Sequence, residues 1–354
     1  MPRIQRLLVL GALGPLSLLC VQSCELSGFP EGGLLPCAAK VSAQKADSPC
    51  DIYGAAQTAC VAAFSTTRAL YGSYAGPLYQ VTRNSDMTAI SIGVLSDGYA
   101  NAAAQDEFCA NTTCIITKIF DQSPHHNDLT VAPPGDAGNG KGPGGNDLPA
   151  LANSLPLTAG GHKVYGVYLS AGMGYRNDHT SGVAVNGEPQ GVYMVSSGIH
   201  ISGGCCFDFG NAERNNDANG EGHMDAIRLG CENPCDPFVG LDMEEGTYPL
   251  FPVPAGMPFV TAMGTNDGQH NFAVYWANAQ GGCLTTTGPV PLPMGYSPMH
   301  QEGAIILGIG GDNTNTSVGS FFEGAMTAGA PSNATLIAVQ GNVVSVGYTA
   351  GPQP

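Results

Sequence analysis

The apolar residues of this chain fall in short runs closed by glycine, proline and asparagine, and that punctuation favours strands and turns over helices. Strand-like runs lie at 114–120, 163–170, 191–196, 223–229, 259–264, 271–277 and 304–307. A further alternating stretch at 79–94 is broken by Asn84-Ser85-Asp86, and 336–346 reads as two more strands. Only the Ala-rich segment 51–70 carries a short helical signal. With 50 Gly, 26 Pro and 11% charged residues, the pattern predicts an all-β chain. The expected architecture is a single β-sandwich, concanavalin- or jelly-roll-like, over 48–350, with a short tail at 351–354. No internal repeat and no second domain boundary is evident.

Arg3 and Arg6 precede an apolar run at 7–19, so residues 1–23 read as a secretory signal; the run is short for a membrane span. Residues 24–47 lack periodicity and read as a linker or loosely tied arm. Twelve cysteines in an exported chain imply disulfides. Cys50/Cys60, Cys109/Cys114 and Cys231/Cys235 are close pairs. Removal of Cys20 with the signal leaves an odd number, so Cys283 or one of Cys24 and Cys37 is expected to lack an internal partner. Zinc at Cys231 and Cys235 would need a second ligand pair, and none lies nearby in sequence. Adjacent Cys205 and Cys206 either close a ring on each other or bridge to different partners; ordinary disulfide geometry favours the second.

A net charge of −16 with only 12 Lys+Arg excludes a phosphate-neutralising surface, so nucleic-acid binding is not expected. An acidic surface also disfavours anionic membranes and suits a neutral ligand such as a carbohydrate. The Gly-rich segment 133–145 lacks the order of a phosphate-binding loop and reads as a surface loop. His125-His126 reads as a polar turn, and the only tryptophan, Trp276, as a strand core residue rather than a sugar platform. The nucleophile elbow of serine hydrolases is missing. Asn111, Asn315 and Asn333 head glycosylation tripeptides, the second close to Asp312.

Two acidic segments carry the chemical argument. The run at 304–307 ends in Gly308-Ile309-Gly310-Gly311 and then Asp312, a carboxylate held at a strand end yet reachable by a ligand. The second is Asp242-Met243-Glu244-Glu245. Glycoside hydrolysis needs one carboxyl group to attack or activate water and another to protonate the leaving oxygen. Clustered acids raise one pKa through like-charge repulsion, as a general acid requires. Taken alone, either acid is equally readable as a solvated loop residue.

Seven motifs, in order, then resemble the catalytic domain of the fungal α-L-arabinofuranosidase B family, glycoside hydrolase family 54. They are CDIYGAAQTACVAAFSTTRALY, AQDEFCANTTCIITKIFDQS, GYRNDHTSG, CCFDFGNAE, GHMDAI, LDMEEG and QEGAIILGIGGDNTN, and the likeness covers roughly 48–345. The resemblance implies a β-sandwich and a retaining mechanism on terminal α-L-arabinofuranosyl groups of plant cell-wall polysaccharides such as arabinan and arabinoxylan. It implies Glu244 as nucleophile and Asp312 as general acid/base, with Asp242, Glu245 and the Gly311 backbone beside the sugar. It also implies a Cys205–Cys206 disulfide packed on the sugar ring, and Cys50–Cys60 and Cys109–Cys114 bridges. No cofactor or metal is implied, and a secreted monomer is expected. Retention predicts the two carboxyl groups about 5–5.5 Å apart.

Three departures from that family stand out. Glu245 replaces the usual Asn, and Thr247 replaces an apolar residue. The segment 230–241 is shorter, lacks a sugar-contacting Trp and carries Cys231 and Cys235. The chain ends at Pro354, without the family's arabinose-binding β-trefoil. The rival readings are a catalytically impaired carbohydrate-binding sandwich, a glycosidase for another sugar, and a structural cell-wall protein.

Overall fold

The computed structural model describes residues 33–37, 47–138, 140–232 and 234–354. The signal read at 1–23 and most of the arm at 24–47 lie outside the described residues. Two antiparallel sheets face each other. One has ten strands, in the order Thr247–Pro252, Asp236–Asp242, Asp225–Glu232, Asp208–Ala212, Ala304–Leu307, Tyr175–Asn177, Leu129–Val131, Cys114–Ile119, Pro77–Arg83 and Ala89–Gly93. The other has eleven and is centred on Gln190–Ser196 and Gly319–Ala328. The expected β-sandwich is what the chain forms.

Apolar side chains alternate into the space between the sheets. Phe209 of the ten-stranded sheet meets Phe64 edge-on at 6.2 Å and Phe321 at 5.2 Å, both from the eleven-stranded sheet. Burial of such rings supplies much of the driving force for sheet packing. Trp276 is half-buried on Asn271–Asn278 of the eleven-stranded sheet and packs against this core. One ion pair is sealed within the sandwich. Arg68 donates to both oxygens of Glu323 at 2.5 and 2.6 Å, and Tyr348 donates to the same carboxylate at 2.7 Å.

Two expectations need correction. The segment 336–346 is not a pair of strands but the body of a helix, Asn333–Ser345. Its valines mimic a strand, yet buried Leu336, Val339, Gln340 and Val343 follow helical spacing, and the Ser332 hydroxyl caps the Thr335 amide at 3.3 Å. Neither Cys37 nor Cys283 lacks a partner, because they form a disulfide with each other; Cys24 lies outside the described residues. Gly33–Leu34, within the presumed arm, pairs with Thr285–Thr286. Cys50–Cys60, Cys109–Cys114, Cys205–Cys206 and Cys231–Cys235 are bridged. His125 and His126 lie in a turn, where His125 Nδ1 meets Ser181 Oγ at 3.1 Å.

Removing one partner of a buried ion pair leaves an uncompensated charge. Glu323→Ala is expected to cost about 3–5 kcal/mol, read as a lower urea midpoint, with Glu323→Gln costing less. An unchanged midpoint for Glu323→Ala would show that the pair does not hold the sandwich.

Candidate active site

Strand register builds the floor of the site. Arg176, Ile306, Gly210, Ala226 and Asp242 stand opposite one another across five adjacent strands. Side chains two residues apart share a face, so Asp208 and Arg228 fall in the neighbouring row. Small residues keep the row low. A Cβ at Gly210 would lie 2.6 Å from the Ala226 Cα. The result is an outer sheet face whose acids gather at Asp208 and Asp242.

The reactive segments hang from the ends of these strands. After Ala304–Leu307 the chain turns through Gly308 (φ +81°) into the Asp312 loop. The Asp312 carboxylate accepts from the Thr314 amide at 2.9 Å and its hydroxyl at 2.6 Å. Gly311 is required by close approach, since a Cβ there would sit 1.8 Å from Glu213 Oε2. Buried Arg176 donates to the Gly311 carbonyl, the Glu213 carbonyl and the Asp178 carboxylate. The segment read as a plain surface loop also braces this acid: the Ala137 amide donates to the Asp312 carbonyl at 3.1 Å.

After Asp236–Asp242 the chain enters two successive left-handed residues, Glu244 (φ +64°) and Glu245 (φ +52°). The Glu244 amide donates to Asp242 Oδ1 at 3.2 Å, and the Tyr296 hydroxyl donates to the Glu244 carbonyl at 2.8 Å. Met243 and Gly246 bond at 3.0 Å, and Gly222 donates to the Met243 carbonyl at 2.8 Å. Glu244 is buried with one carboxylate oxygen unpartnered, whereas Glu245 is exposed. Thr247 sits within the network, its hydroxyl 3.3 Å from Asp242 Oδ2 and 3.2 Å from Arg228 Nη1. A polar residue at this position is therefore useful, which explains its departure from an apolar one.

Cys205–Cys206 borders Asp312. The Thr316 amide donates to the Cys205 carbonyl at 2.8 Å, and the Cys206 amide to the Thr314 carbonyl at 3.3 Å. Cys206 Sγ and carboxylate oxygens of Asp208 and Asp242 lie within 4.8 Å of one another. The set does not suit a metal, because a disulfide sulfur is not a thiolate ligand.

Electrostatics sets the acids apart. Burial raises Glu244 to about 7, with the Asp312 and Glu245 charges adding to the shift. Burial also pushes Asp208 well above the carboxylate range; Asp242 and Asp312 add to this, while Arg228 opposes it. Asp242 is raised by burial against the pull of Arg228, whose Nη1 is 3.5 Å away. Three carboxyl groups of the cluster are thus raised, each first by burial, and like-charged neighbours add to the shift at Asp208 and Glu244. Glu245 stands beside the buried Glu244 side chain.

Of the expected residues, the structure brings together Asp242, Glu244, Glu245, Gly311, Asp312, Cys205 and Cys206. Sequence reasoning missed Arg176, Asp208, Glu213, Arg228 and Tyr296. The available signal was charge in an apolar setting, as with Asp208 and Glu213 in CCFDFGNAE. Asn111 and Asn333 are exposed, whereas the Asn315 side-chain amide donates to Asp147 at 2.6 Å, which argues against Asn315 as a glycan carrier.

The architecture is a two-sheet sandwich with its acids gathered on the outer face of one sheet. The chain belongs to the family described as Alpha-L-arabinofuranosidase B, catalytic, whose sequence model matches residues 49–349. It is 48% identical over 325 residues to a probable α-L-arabinofuranosidase B of Aspergillus terreus, covering 87% of this chain and 63% of the relative. It is also 48% identical over 325 residues to an α-L-arabinofuranosidase of Hypocrea jecorina and to a Trichoderma koningii protein named arabinofuranosidase/β-xylosidase, covering 87% of this chain and 64% of each relative. The chain thus spans under two thirds of the length of these relatives. A solved arabinofuranosidase complexed with arabinofuranosyl-α-1,2-xylobiose superposes with a TM-score of 0.83 at 46% identity, covering 86% of this chain and 66% of that one.

The raised acids make a stability prediction. Burial lifts Asp225 to about 7 and Asp147 to about 6, alongside Glu244 at about 7. Stability from a raised acid is complete below its unfolded pKa of about 4 and is lost as pH rises through the folded value. The melting midpoint is therefore expected to fall between about pH 4 and pH 7, and Asp225→Asn to flatten that slope. Calorimetric scans across this range check it. A midpoint rising throughout would mean these acids are ionised in the folded protein.

Proposed function

We propose that this chain is a retaining α-L-arabinofuranosidase that hydrolyses terminal non-reducing α-L-arabinofuranosyl groups of arabinan, arabinoxylan and related plant cell-wall polysaccharides. The observation that carries this reading is Glu244, buried at a strand end within electrostatic reach of Asp312, in a chain of this family. Glu244 attacks the anomeric carbon while Asp312 protonates the departing glycosidic oxygen, giving a covalent glycosyl-enzyme. Asp312, now a base, takes a proton from water, which attacks the same carbon and releases Glu244. Asp242 and the Gly311 backbone hold sugar hydroxyls, Glu245 lies at the rim, and the Cys205–Cys206 disulfide supports the ring. Secretion, suggested by the apolar run at 7–19, belongs to the same reading.

Glu244 must be ionised to attack. With its pKa at about 7, the kcat/KM profile is expected to have an acidic limb near neutrality. Removing the neighbouring charge by Glu245→Gln lowers the Glu244 pKa, so the limb moves to lower pH. A limb that stays in place would remove Glu245 from the account.

The decisive assay is chromophore release from an aryl α-L-arabinofuranoside, with the anomer of the first-formed product followed by NMR. Asp312→Asn is expected to lose about 10²–10⁴-fold, and Glu244→Gln at least as much. A folded wild-type protein without activity would favour a binding module, and an inverted product would exclude the double displacement. The dual name of the T. koningii relative makes an aryl β-D-xyloside the comparison substrate. Faster release from it would assign the enzyme to the other sugar.

A further inference from the structure

A second concavity, of about 450 Å³, lies away from the acids, between segments 68–75 and 94–99 and the end of the helix Asn333–Ser345. That volume is in the range of small-molecule sites. None of the acid-site residues lines it. Its floor is the sealed network already described: Arg68 donates to Glu323 and, at 2.8 Å, to Asn342 Oδ1, and Asn342 Nδ2 donates to the Asp47 carbonyl at 2.7 Å. Half-buried Tyr71, Tyr74 and Tyr99 stand in its wall. Tyr74 is fixed by a 2.6 Å bond to the Pro77 carbonyl, and Tyr99 stacks on His162 with ring centroids 5.1 Å apart. Exposed Ser73, Ser96 and Asp97 form the rim.

The lining indicates what the cavity can hold. Arg68 is matched by Glu323, and the Asp97 carboxylate is hydrogen-bonded to the His162 ring at 2.7 Å, so both charged side chains at the site already have partners. An anion finds no uncommitted cation there and meets a chain of net charge −16. A wholly apolar ligand would strand the hydroxyl-rich rim without partners. Fixed tyrosine rings alternating with serine hydroxyls match a neutral polyhydroxyl ligand, which presents C–H faces and O–H edges together. Held rings also lose little entropy on binding. The acids and bases at this cavity are paired for structure, so its chemistry is binding rather than turnover.

Position adds a second argument. Segment 94–99 follows Ala89–Gly93, the edge strand at the opposite end of the ten-stranded sheet from Thr247–Pro252. Four strands separate Ala89–Gly93 from Ala304–Leu307, which leads to Asp312. At about 4.8 Å per strand spacing, the two places are about 24 Å apart along the sheet. One sugar cannot touch both, whereas one polysaccharide chain can.

We propose that this cavity is an accessory binding site for a neutral oligosaccharide segment, holding a polysaccharide chain while a different part of it occupies the acid-lined site. The choice of arabinoxylan as ligand rests on the arabinofuranosidase reading. The test compares Tyr71→Ala and Ser96→Arg with the parent, each with its melting midpoint. Ser96→Arg fills the mouth from an exposed position and leaves the floor intact. Retardation in native gels containing arabinoxylan is expected to fall about 5-fold in Tyr71→Ala, the effect of losing one aromatic contact, and at least as far in Ser96→Arg, which blocks the mouth. Hydrolysis of an aryl α-L-arabinofuranoside should stay within about twofold of the parent, because that substrate reaches only one site. Undiminished retardation of folded Ser96→Arg overturns the proposal. Absence of aryl arabinoside hydrolysis in the parent sinks the arabinofuranosidase reading instead, and the gels still decide whether the cavity binds.

Discussion

The acid-lined face depends on one buried cation. Arg176 is 1% exposed and donates to the Gly311 carbonyl, the Glu213 carbonyl and the Asp178 carboxylate. These acceptors belong to three separate segments, so one planar guanidinium fixes the strand Tyr175–Asn177, the end of the Asp208 strand and the Asp312 loop against one another. Burial lowers the pKa of Arg176, while Asp178, Asp312 and Glu244 oppose that shift. Its charge is thus retained where the acids need it. A lysine would present a single ammonium and could not span three acceptors in one plane.

The acids around that cation are unequal, and their inequality is chemically useful. Asp242 has Arg228, Thr247 and the Glu244 amide as partners. Asp208, one row away, has none for either oxygen and is fully buried. Burial and the neighbouring Asp242 push the Asp208 carboxyl well upward, and Arg228 only partly offsets this. Asp242, bonded to Arg228 and Thr247, orients the Glu244 backbone. Glu213 repeats the arrangement below Gly311, buried and unpartnered at both oxygens.

Much of this was legible in the residues. Short runs with turn punctuation announced the sandwich, and Ala304–Leu307 with its glycines announced the Asp312 loop. The motifs gathered around Glu244 and Asp312 announced the family. What escaped depends on long-range contact. The helix Asn333–Ser345 has strand-like composition, and only its capping serine and burial on one face reveal it. Cys37 and Cys283 are separated by 246 residues, and no local spacing predicts such a bridge. The loop around Gly135 looked like exposed punctuation because its partner, the Asp312 carbonyl, is brought to it only by the folded sheet. Arg176 and Asp208 lie outside the runs that read as strands, and only the register of Tyr175–Asn177 and Asp208–Ala212 brings them to the site.

The pair Glu244–Glu245 shows how this site trades conformational ease for charge. Left-handed backbone favours glycine and is tolerated by asparagine, which the family resemblance places at 245. Two glutamates in that region are strained, by about 1–3 kcal/mol each, and persist only if the surroundings over-determine them. Here Asp242 and Tyr296 hold the Glu244 amide and carbonyl, while the preceding Met243 donates to the Gly246 carbonyl and accepts from the Gly222 amide. With its backbone held from both sides, Glu244 keeps its place whatever residue follows. Position 245 is then released from the demand for asparagine and can carry a carboxylate that raises Glu244 further. The same bonds that tolerate the strain thereby let the pKa of the Glu244 carboxyl be tuned from the rim, without moving the carboxyl itself.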